Sequence, residues 1–358
     1  MMTLLGKCIL RSTRLKNILG FITAGSCLLS AALSVADATT GYTNHEKAQA
    51  FVTTMVEKHN FDETYVKKIL SAAEKKQNIL DAISRPAEKT KPWHEYRKIF
   101  LGKDRVKQGV EFWKEHESIL NDVSAKYGVA PEIIVAIIGV ETRYGKFMGR
   151  YRVIDALTTL GFDYPRRGKF FTSELEHFFL LTREQGIDPL TPKGSYAGAM
   201  GYGQFIPSSY RNYARDHDGD NKADIWTNKQ DAIASVANYF KAHGWQTNEP
   251  VFTRAKFKQG FDKNKANLRS RPKATLAELI ADGFVPKNTE SFDNTLTAVP
   301  LTYSGEKGDE YWIGFNNFYV ITRYNRSHMY ALAVWQLSEA IAAQKVSEQT
   351  EAALSKAY

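Results

Sequence analysis

The sequence predicts an α+β protein that is mainly α-helical and carries one small antiparallel β unit. Apolar residues recur at helical spacing in long stretches between residues 44 and 243, and again after residue 327. Alternating and β-branched-rich runs are instead concentrated between residues 250 and 322, in "VFTRAKFKQ", "NTLTAVPLTY" and "EYWIGFNNFYVIT". This separation favours a helical protein with a single embedded sheet.

The first 38 residues differ from the rest and predict an exported protein. Four basic residues precede an apolar stretch from residue 18 to 35, which ends on Ala36-Asp37-Ala38. This order is typical of a secretory signal cleaved after Ala38 and favours a periplasmic location. A single membrane anchor is the alternative. Cys27 in "TAGSC" could carry an outer-membrane lipid anchor, although the preceding Ala24 and Gly25 fit a lipobox poorly.

Cysteine usage and charge narrow the chemistry. Cys8 and Cys27 are the only cysteines and both lie in the leader, so a cleaved chain has no disulfide, zinc ribbon or thiol nucleophile. The leader holds four of the 48 basic and one of the 39 acidic residues, which leaves a net charge of +6 after cleavage. An anionic polymer such as cell wall or nucleic acid would suit this charge, but a basic solvated surface explains it more simply.

Helix signals follow one another along the chain. One face carries Ala48, Phe51, Val52 and Met55, Asp62 caps a second helix, and a third is expected from about residue 104 to 127. Ser173-x-x-Glu176 and Thr275-x-x-Glu278 are capping boxes for helices ending at Gly186 and Gly283, residues 228 to 243 predict another, and Ser327 caps the last.

The stretch "EIIVAIIGVETRYG", residues 132 to 145, sets an apolar run directly against a carboxylate, Glu141. The run fits a buried strand or a buried helix, and Pro131 with Glu132 favours the helix. Glu141 then lies on an apolar face at the negative end of the helix dipole. Desolvation and the dipole should both raise its pKa, as a general acid requires. The alternative is a Glu141 that merely pairs with Arg143 or Arg150.

The segment "KGSYAGAMGYGQFIPSSY", residues 193 to 210, is rich in glycine and small residues. Such a segment lets the backbone approach a ligand closely, and Ser195 and Gln204 could offer hydrogen bonds. It lacks the spacing of a phosphate loop or a dinucleotide fingerprint, which argues against nucleotides and predicts no organic cofactor. A tight loop without a ligand is the simpler alternative.

An acidic segment, "DHDGDNKADIWTNKQD" at residues 216 to 231, resembles a calcium loop. Asp216, Asp218 and Asp220 have the 1, 3, 5 spacing of an EF-hand, and Lys222 could offer its backbone carbonyl. Position 12 is Thr227 rather than Glu, so the next suitable carboxylate is Asp231 in a longer loop. From these residues alone, calcium and a solvated acidic turn remain alternatives.

These segments, taken together and in this order, resemble the B-type lytic murein transglycosylases from about residue 45 to 345. The matching stretches are "GVETRYGKFMG", "LTTLGFDYPRR", "KGSYAGAMGYGQFIPSSY", "SVANYFKAHGW" and "YNRSHMYALAV". The resemblance implies a lysozyme-like catalytic core, a helical lobe and a small β lobe. It also implies cleavage of the bond between N-acetylmuramic acid and N-acetylglucosamine in peptidoglycan.

Site residues follow from the resemblance. Glu141 is the implied catalytic residue, which first protonates the glycosidic oxygen and then, as a carboxylate, draws the proton from the muramic 6-hydroxyl to close a 1,6-anhydro ring. The implied substrate-binding residues are Tyr96, Arg166, Arg167, Ser195, Gln204, Tyr239, Tyr324, Asn325 and Tyr330. The implied calcium ligands are Asp216, Asp218, Asp220, Lys222 and Asp231, with a structural role for the ion.

The resemblance also suggests a division of the chain. Residues 1–38 form the signal and 39–115 a helical lobe completed by 327–358. Residues 116–248 form the lysozyme-like core with the EF-hand-like loop, and 249–326 the β lobe. We expect a monomer that binds peptidoglycan strands and no nucleic acid, with cell-wall synthesis or remodelling proteins as further partners. Two alternatives remain: a muramidase that hydrolyses the same bond with a second carboxylate such as Asp155 or Asp163, and a non-catalytic peptidoglycan-binding scaffold.

Overall fold

Helices dominate the secondary structure, and the strands are short or belong to one small sheet, as the sequence predicts. The structure, a computed structural model, describes residues 41–84, 91–258, 260–268, 270–287 and 292–357. The predicted leader and Cys27 lie outside these residues.

The helices are, in chain order, α1 (Glu46–His59), α2 (Glu63–Ala72), α3 (Gln77–Ser84), α4 (Trp93–Tyr96), α5 (Lys103–Glu115), α6 (Glu117–Tyr127), α7 (Pro131–Thr142), α8 (Val153–Asp163), α9 (Gly168–Gln185), α10 (Pro207–Tyr213), α11 (Lys229–Ala242), α12 (Leu276–Ala281), α13 (Asn316–Tyr324) and α14 (His328–Ala357). The strands are β1 (Tyr151–Arg152), β2 (Lys193–Gly194), β3 (Phe252–Phe257), β4 (Ala274–Thr275), β5 (Phe284–Pro286), β6 (Thr297–Gly305) and β7 (Gly308–Phe315).

Helix α7 contains the apolar run and lies in the middle of a hydrophobic cluster. Every residue from 133 to 140 is at most 9% exposed, so the helix is buried on all sides. It packs against α5, α11 and α14. The preference for helix over strand is confirmed, and Pro131 occupies the first turn, where its missing N–H costs nothing.

A second cluster joins α1, α2, α8 and α9 into a helical layer. A third lies against the five-stranded sheet, whose order is β4-β6-β7-β3-β5 and whose neighbours are all antiparallel. Strands β6 and β7 form a hairpin that closes at Gly305 and Gly308. Gly308 has φ +106, which favours glycine at this turn. The predicted antiparallel β unit is therefore confirmed, and α12 contacts β4, β5 and β6.

Several predicted helix ends are confirmed. The side chain of Asp62 caps α2, Thr275 and Glu278 form the predicted capping box of α12, and Gly186 ends α9 in a left-handed conformation. Ser327 accepts the backbone N–H of Tyr330 at 3.3 Å at the start of α14. These signals are local, because each cap reaches only a few residues along the chain.

Three predicted elements are wrong in detail. The helix expected over 104–127 is two helices that bend at His116, so that α5 packs on α14 and α6 on α11. Ser173 does not begin a helix, because α9 already starts at Gly168. The strand expected to run to residue 322 ends at Phe315, and α13 follows, because Phe318 and Ile321 bury one helical face.

Among the described residues, no single helix is long and apolar enough to cross a membrane, although α6 and α7, bent by 112°, reach that length and composition as a pair. The division at residues 115, 248 and 326 stays a prediction.

Candidate active site

Glu141 is the next-to-last residue of α7 and emerges from the buried run as a half-buried carboxylate. The helix backbone behind it is held from outside, because the guanidinium of Arg105 on α5 donates to the carbonyl of Gly139 at 2.5 Å. Gly139 itself leaves room for the ring of Tyr144, whose hydroxyl lies 2.6 Å from where a Cβ would stand. The end of α7 is therefore fixed in position.

Immediately after Glu141 the chain turns sharply. Arg143, Tyr144 and Gly145 have φ values of 50, 59 and 89°, three consecutive left-handed residues, two of which carry side chains. Tyr144 compensates by donating its hydroxyl to the carbonyl of Arg105 at 2.9 Å, and burial raises its pKa well above the usual range. Such strain persists only where the surrounding structure enforces it.

Thr142 links this turn to the glycine-rich segment. Its hydroxyl is 1% exposed, lies 3.1 Å from the carbonyl oxygens of both Ile138 and Tyr202, and accepts the N–H of Gly145 at 3.0 Å. One side chain thus joins the last turn of α7, the left-handed turn and the segment at residue 202. The role of Thr142 was not predicted from the sequence, although a hydroxyl four residues after Ile138 on an apolar face indicates a buried hydrogen bond.

Tyr330 is a hydrogen-bond partner of Glu141. Its hydroxyl donates to Oε1 of Glu141 at 2.6 Å, and the side chain is only 3% exposed. Burial, and then the negative charge of Glu141, raise the pKa of Tyr330, which therefore stays a hydrogen-bond donor. Tyr330 lies in the first turn of α14. Asn325 supports that turn, because its Oδ1 accepts the N–H of Ser327 at 3.1 Å.

Further tyrosines predicted for the substrate cleft surround this pair. Tyr324 donates its hydroxyl to the carbonyl of Gly203, and burial followed by the charge of Glu141 raises its pKa. Its ring packs edge-on against Tyr239 at 4.7 Å. Tyr239 in turn donates to the carbonyl of Arg323 at 2.6 Å, and burial raises its pKa to about 12. Tyr96 is 2% exposed and contributes to the raised pKa of Tyr330.

Ser195 and Gln204 organise the glycine-rich segment from within. The Ser195 hydroxyl accepts the N–H groups of Ala197 and Ala199 at 3.3 and 3.0 Å. Gln204 has φ 51°, and its amide donates to the carbonyl of Met148 at 3.2 Å. Both residues are half-buried, so they reach the surface of the segment while stabilising its shape.

Arg166 and Arg167 lie exposed just before α9, away from α7 in the chain. Arg167 stacks over Phe170 at 4.3 Å and Phe171 at 5.0 Å. The expected part of the two arginines in substrate binding stays a prediction.

Asp155 and Asp163, the candidates for a second catalytic carboxylate, are engaged elsewhere. Asp155 is 2% exposed and receives two hydrogen bonds from Arg152, at 2.8 and 2.9 Å. Asp163 receives the hydroxyl of Tyr42 and the ammonium of Lys75, both at 2.7 Å. Both carboxylates belong to α8 and serve the helical layer.

The acidic segment folds into a loop that gathers carboxylates. Oxygens of Asp216, Asp218 and Asp231 lie within 4.8 Å of one another. Asp231 is fully buried, and burial is the main cause that raises its pKa. Asn221 adopts the left-handed conformation expected at position 6, with φ 67°. A buried carboxylate beside two others is costly without a cation, so these residues fit a divalent ion.

The predicted ligands are thus partly brought together. Asp231, the farthest of them along the chain, joins the group, because α11 begins with its N-cap at Asn228 and turns Asp231 back toward the loop. Asp220 is not in the group of three and instead accepts the N–H of Lys222 at 2.8 Å, and the predicted ligand atom of Lys222 is its backbone carbonyl. Their part in metal binding stays a prediction.

Comparison with known proteins agrees with this geometry. Residues 43–339 match the family described as Transglycosylase SLT domain. The chain is 45% identical over 319 residues to membrane-bound lytic murein transglycosylase B of Escherichia coli strain K12, covering 85% of each protein. Its structure is similar to that of the catenated lytic transglycosylase SltB1 from Pseudomonas aeruginosa, with a TM-score of 0.81, 48% identity and coverage of 85% of this chain and 99% of that one.

Two similar structures contain ligands. The Escherichia coli lytic transglycosylase Slt35 in complex with calcium has a TM-score of 0.77 and 44% identity, with coverage of 86% of this chain and 97% of that one. The Pseudomonas aeruginosa protein SltB3 in complex with NAG-NAM-pentapeptide has a TM-score of 0.75 and 33% identity, with coverage of 82% and 78%. The lysozyme-like fold and the expected resemblance are confirmed, and the chain belongs to the family of lytic murein transglycosylases, which cleave peptidoglycan by transglycosylation.

Proposed function

We propose that this enzyme cleaves the β-1,4 bond between N-acetylmuramic acid and N-acetylglucosamine and leaves a 1,6-anhydro-muramic end, with Glu141 as general acid and then general base. One observation carries the proposal: Glu141 directly follows the buried helical run 133–140, and its carboxylate accepts a hydrogen bond from the hydroxyl of Tyr330 at 2.6 Å. A positioned carboxylate at the edge of an apolar core is suited to transferring a proton in both directions.

The reaction balances with one carboxyl group. Protonated Glu141 gives its proton to the glycosidic oxygen, the bond from that oxygen to the anomeric carbon breaks, and positive charge develops on the sugar. The resulting carboxylate takes the proton of the muramic 6-hydroxyl, whose oxygen bonds to the anomeric carbon. Glu141 ends protonated again, and no water is consumed.

The engagement of Asp155 and Asp163 favours this reaction over hydrolysis. A muramidase needs a second carboxylate as nucleophile or base opposite the acid. Both candidates are bonded to cationic or phenolic groups of the helical layer, Asp155 to Arg152 and Asp163 to Lys75 and Tyr42.

We assign a structural calcium ion to the acidic loop. Asp216, Asp218 and Asp231 would supply carboxylates, with Asp220 and the carbonyl of Lys222 as further ligands. A bound cation would neutralise the buried Asp231 and fix the loop at the start of α11. The calcium complex of the 44% identical Slt35 supports this assignment.

The proposed reaction also indicates a substrate and a location for the enzyme. Peptidoglycan strands are the partner, supported by the NAG-NAM-pentapeptide complex of SltB3. The tyrosines around Glu141, with Ser195, Gln204, Asn325, Arg166 and Arg167, would line the cleft. We place the enzyme in the periplasm, exported by the leader, in accord with the membrane-bound relative.

The test is the mass of muropeptides released from purified peptidoglycan by residues 39–358. Intramolecular ring closure yields products about 18 mass units lighter than hydrolysis products, because no water is added. Products with a free reducing end would identify a muramidase, and the absence of any release would favour the binding scaffold.

A further inference from the structure

The net positive charge of residues 39–358 comes from one short segment. Residues 254–273 contain eight Lys or Arg and a single acid, Asp262, a net charge of +7. Residues 39–358 carry a net charge of +6, so everything outside this segment adds up to −1. A basic solvated surface would be spread over the molecule. Such concentration instead predicts an anionic ligand at one place.

The segment begins in strand β3 of the sheet, and near its other end it contacts the start of α14. Lys263 stands over the ring of Phe257 at 4.8 Å, and Asn267 exchanges hydrogen bonds with the backbone of Thr302 on β6 at 2.7 and 3.2 Å. The hydroxyl of Ser270 lies 2.7 Å from Nε2 of His328. His328 is two residues before Tyr330. The basic segment therefore contacts the first turn of α14, which carries the hydrogen-bond donor to Glu141.

Most cations of the segment lack an acidic partner. Arg254 pairs with Glu310 and Lys265 with Asp282, at 2.9 and 2.8 Å. Among the described residues, no other Lys or Arg of the segment has a carboxylate within 4.0 Å. Arg271 and Lys273 are two of these cations without a carboxylate partner, and both are exposed.

Three cations of the segment line one cavity: Arg271, Lys273 and Lys265, the last of which also pairs with Asp282. Lys265, Arg271 and Lys273 line a pocket of about 210 Å³, together with the 72% exposed Leu268. The rest of its wall is apolar, and most of these side chains are small: Ala274, Leu279, Ala298, Val299 and Pro300. A cationic rim over a shallow apolar floor fits a ligand that combines carboxylates with small apolar side chains.

We infer that this pocket, defined by Lys265, Leu268, Arg271, Lys273 and the edge of β6, binds the carboxylate-bearing peptide stem of a peptidoglycan strand. The inference rests on the proposed function, because it takes the substrate to be peptidoglycan. It adds a peptide-binding site outside the residues assigned to the glycan cleft. The pocket would hold a strand by its peptide while Glu141 acts on its sugars.

The shape of the pocket favours a peptide over an anionic membrane. Surfaces that enter a bilayer present a continuous apolar face, whereas Leu268 is the only large apolar side chain of the pocket that is strongly exposed. The remaining apolar surface is concave and made mostly of small side chains. Exposed cations of this kind act through screened electrostatics, so peptide binding should weaken as salt is raised.

The test is methyl NMR of residues 39–358 carrying Glu141→Gln, titrated with NAG-NAM-pentapeptide and with the peptide-free NAG-NAM disaccharide. We expect the Ala274 and Ala298 methyl signals to shift with the pentapeptide only. R271Q/K273Q should weaken that titration about five-fold, the size expected for two exposed ion pairs. The matched control K256Q/K258Q removes the same charge from the same segment but touches no pocket residue, so its affinity should stay within about two-fold.

Three results would overturn the inference: pentapeptide shifts confined to other methyl groups, equal weakening by the two double variants, or shifts caused by phosphatidylglycerol vesicles and not by pentapeptide. R271K/K273R keeps the charges and should bind like the parent, which separates lost charge from a packing defect. Binding in the Glu141→Gln background needs no turnover. A failure here therefore leaves the proposed reaction intact, and a failed reaction shows only in the product masses.

Discussion

Glu141 and Asp231 are both carboxylates near helix ends, but their partners come from very different distances along the chain. The hydrogen-bond donor to Glu141, Tyr330, lies 189 residues later, on another helix. Asp231 receives the backbone N–H groups of His217 and Asp224, 14 and 7 residues earlier, at 2.8 and 2.9 Å. The region around Glu141 therefore depends on how distant elements pack, whereas the acidic loop is largely self-contained. Damage to the first should appear in activity, and damage to the second in stability.

Tyr330→Phe should have the largest effect on activity among the changes outside Glu141 itself. The change keeps the ring but removes a buried donor from Glu141. Hydrogen bonds to charged groups contribute enough that the rate of anhydro-product release should fall about 10- to 100-fold. Tyr42→Phe, which removes the hydroxyl bonded to Asp163 in the helical layer, is the control. Equal rates for the two variants would show that Tyr330 does not position Glu141.

Removal of calcium from the acidic loop should lower stability rather than activity. An ion that binds only the folded state stabilises it by about 2.7 kcal/mol at a hundredfold excess over its Kd. Chelation should therefore lower the thermal unfolding midpoint of the parent, while Asp231→Asn should abolish most of the response to calcium. The release rate, measured well below the midpoint, should change little. A large loss of rate without a loss of stability would contradict a structural role.

Thr142→Val should affect both stability and activity, because Thr142 joins a local turn to a distant segment. Loss of its buried hydroxyl leaves the carbonyl of Tyr202 and the N–H of Gly145 without this partner. Urea unfolding should show a loss of about 1–2 kcal/mol. The release rate should also fall, since the last turn of α7 loosens. Thr158→Val removes an equally buried hydroxyl that lies 2.8 Å from the carbonyl of Ile154 in the helical layer, and should cost stability alone.

The smallest effect concerns pH. Burial lowers the pKa of His328, whose ring contacts Ser270 at 2.7 Å. A histidine with a lowered folded pKa binds its proton more readily in the unfolded chain. Its stabilising contribution is thus complete above the unfolded value of about 6.5 and is lost as pH falls through the folded value. Urea unfolding at pH 7.5 and 5.0 should show a smaller decrease for His328→Asn than for the parent, and parallel decreases would exclude this role.

The same contrast explains what the sequence could predict. The cluster of Asp216, Asp218 and Asp231 could be predicted from the spacing and from the next available carboxylate, because all three are close in the chain. For Glu141, the helical period predicted an acid at the end of an apolar helix. The position of Tyr330 next to it depends on the packing of α14 against α7, which no local pattern encodes, and only the family resemblance pointed to it.

Thr142 and the bend at His116 were missed for the same reason. The hydroxyl of Thr142 matters because Tyr202 approaches from another segment. The break between α5 and α6 arises because each helix packs on a different neighbour. Caps such as Asp62 and Thr275, which need only a few residues, were predicted correctly.

The most direct test of Glu141 as the acid and base is the rate at which Glu141→Gln releases anhydro-muropeptides. Glu132→Gln, on the first turn of the same helix and also half-buried, is the matched control. We predict a loss of about a thousandfold for Glu141→Gln, within the range for general acid–base catalysis, with an unchanged unfolding midpoint and a normal rate for the control. A Glu141→Gln protein that is folded and still releases anhydro products at a tenth of the parental rate or more would contradict the account.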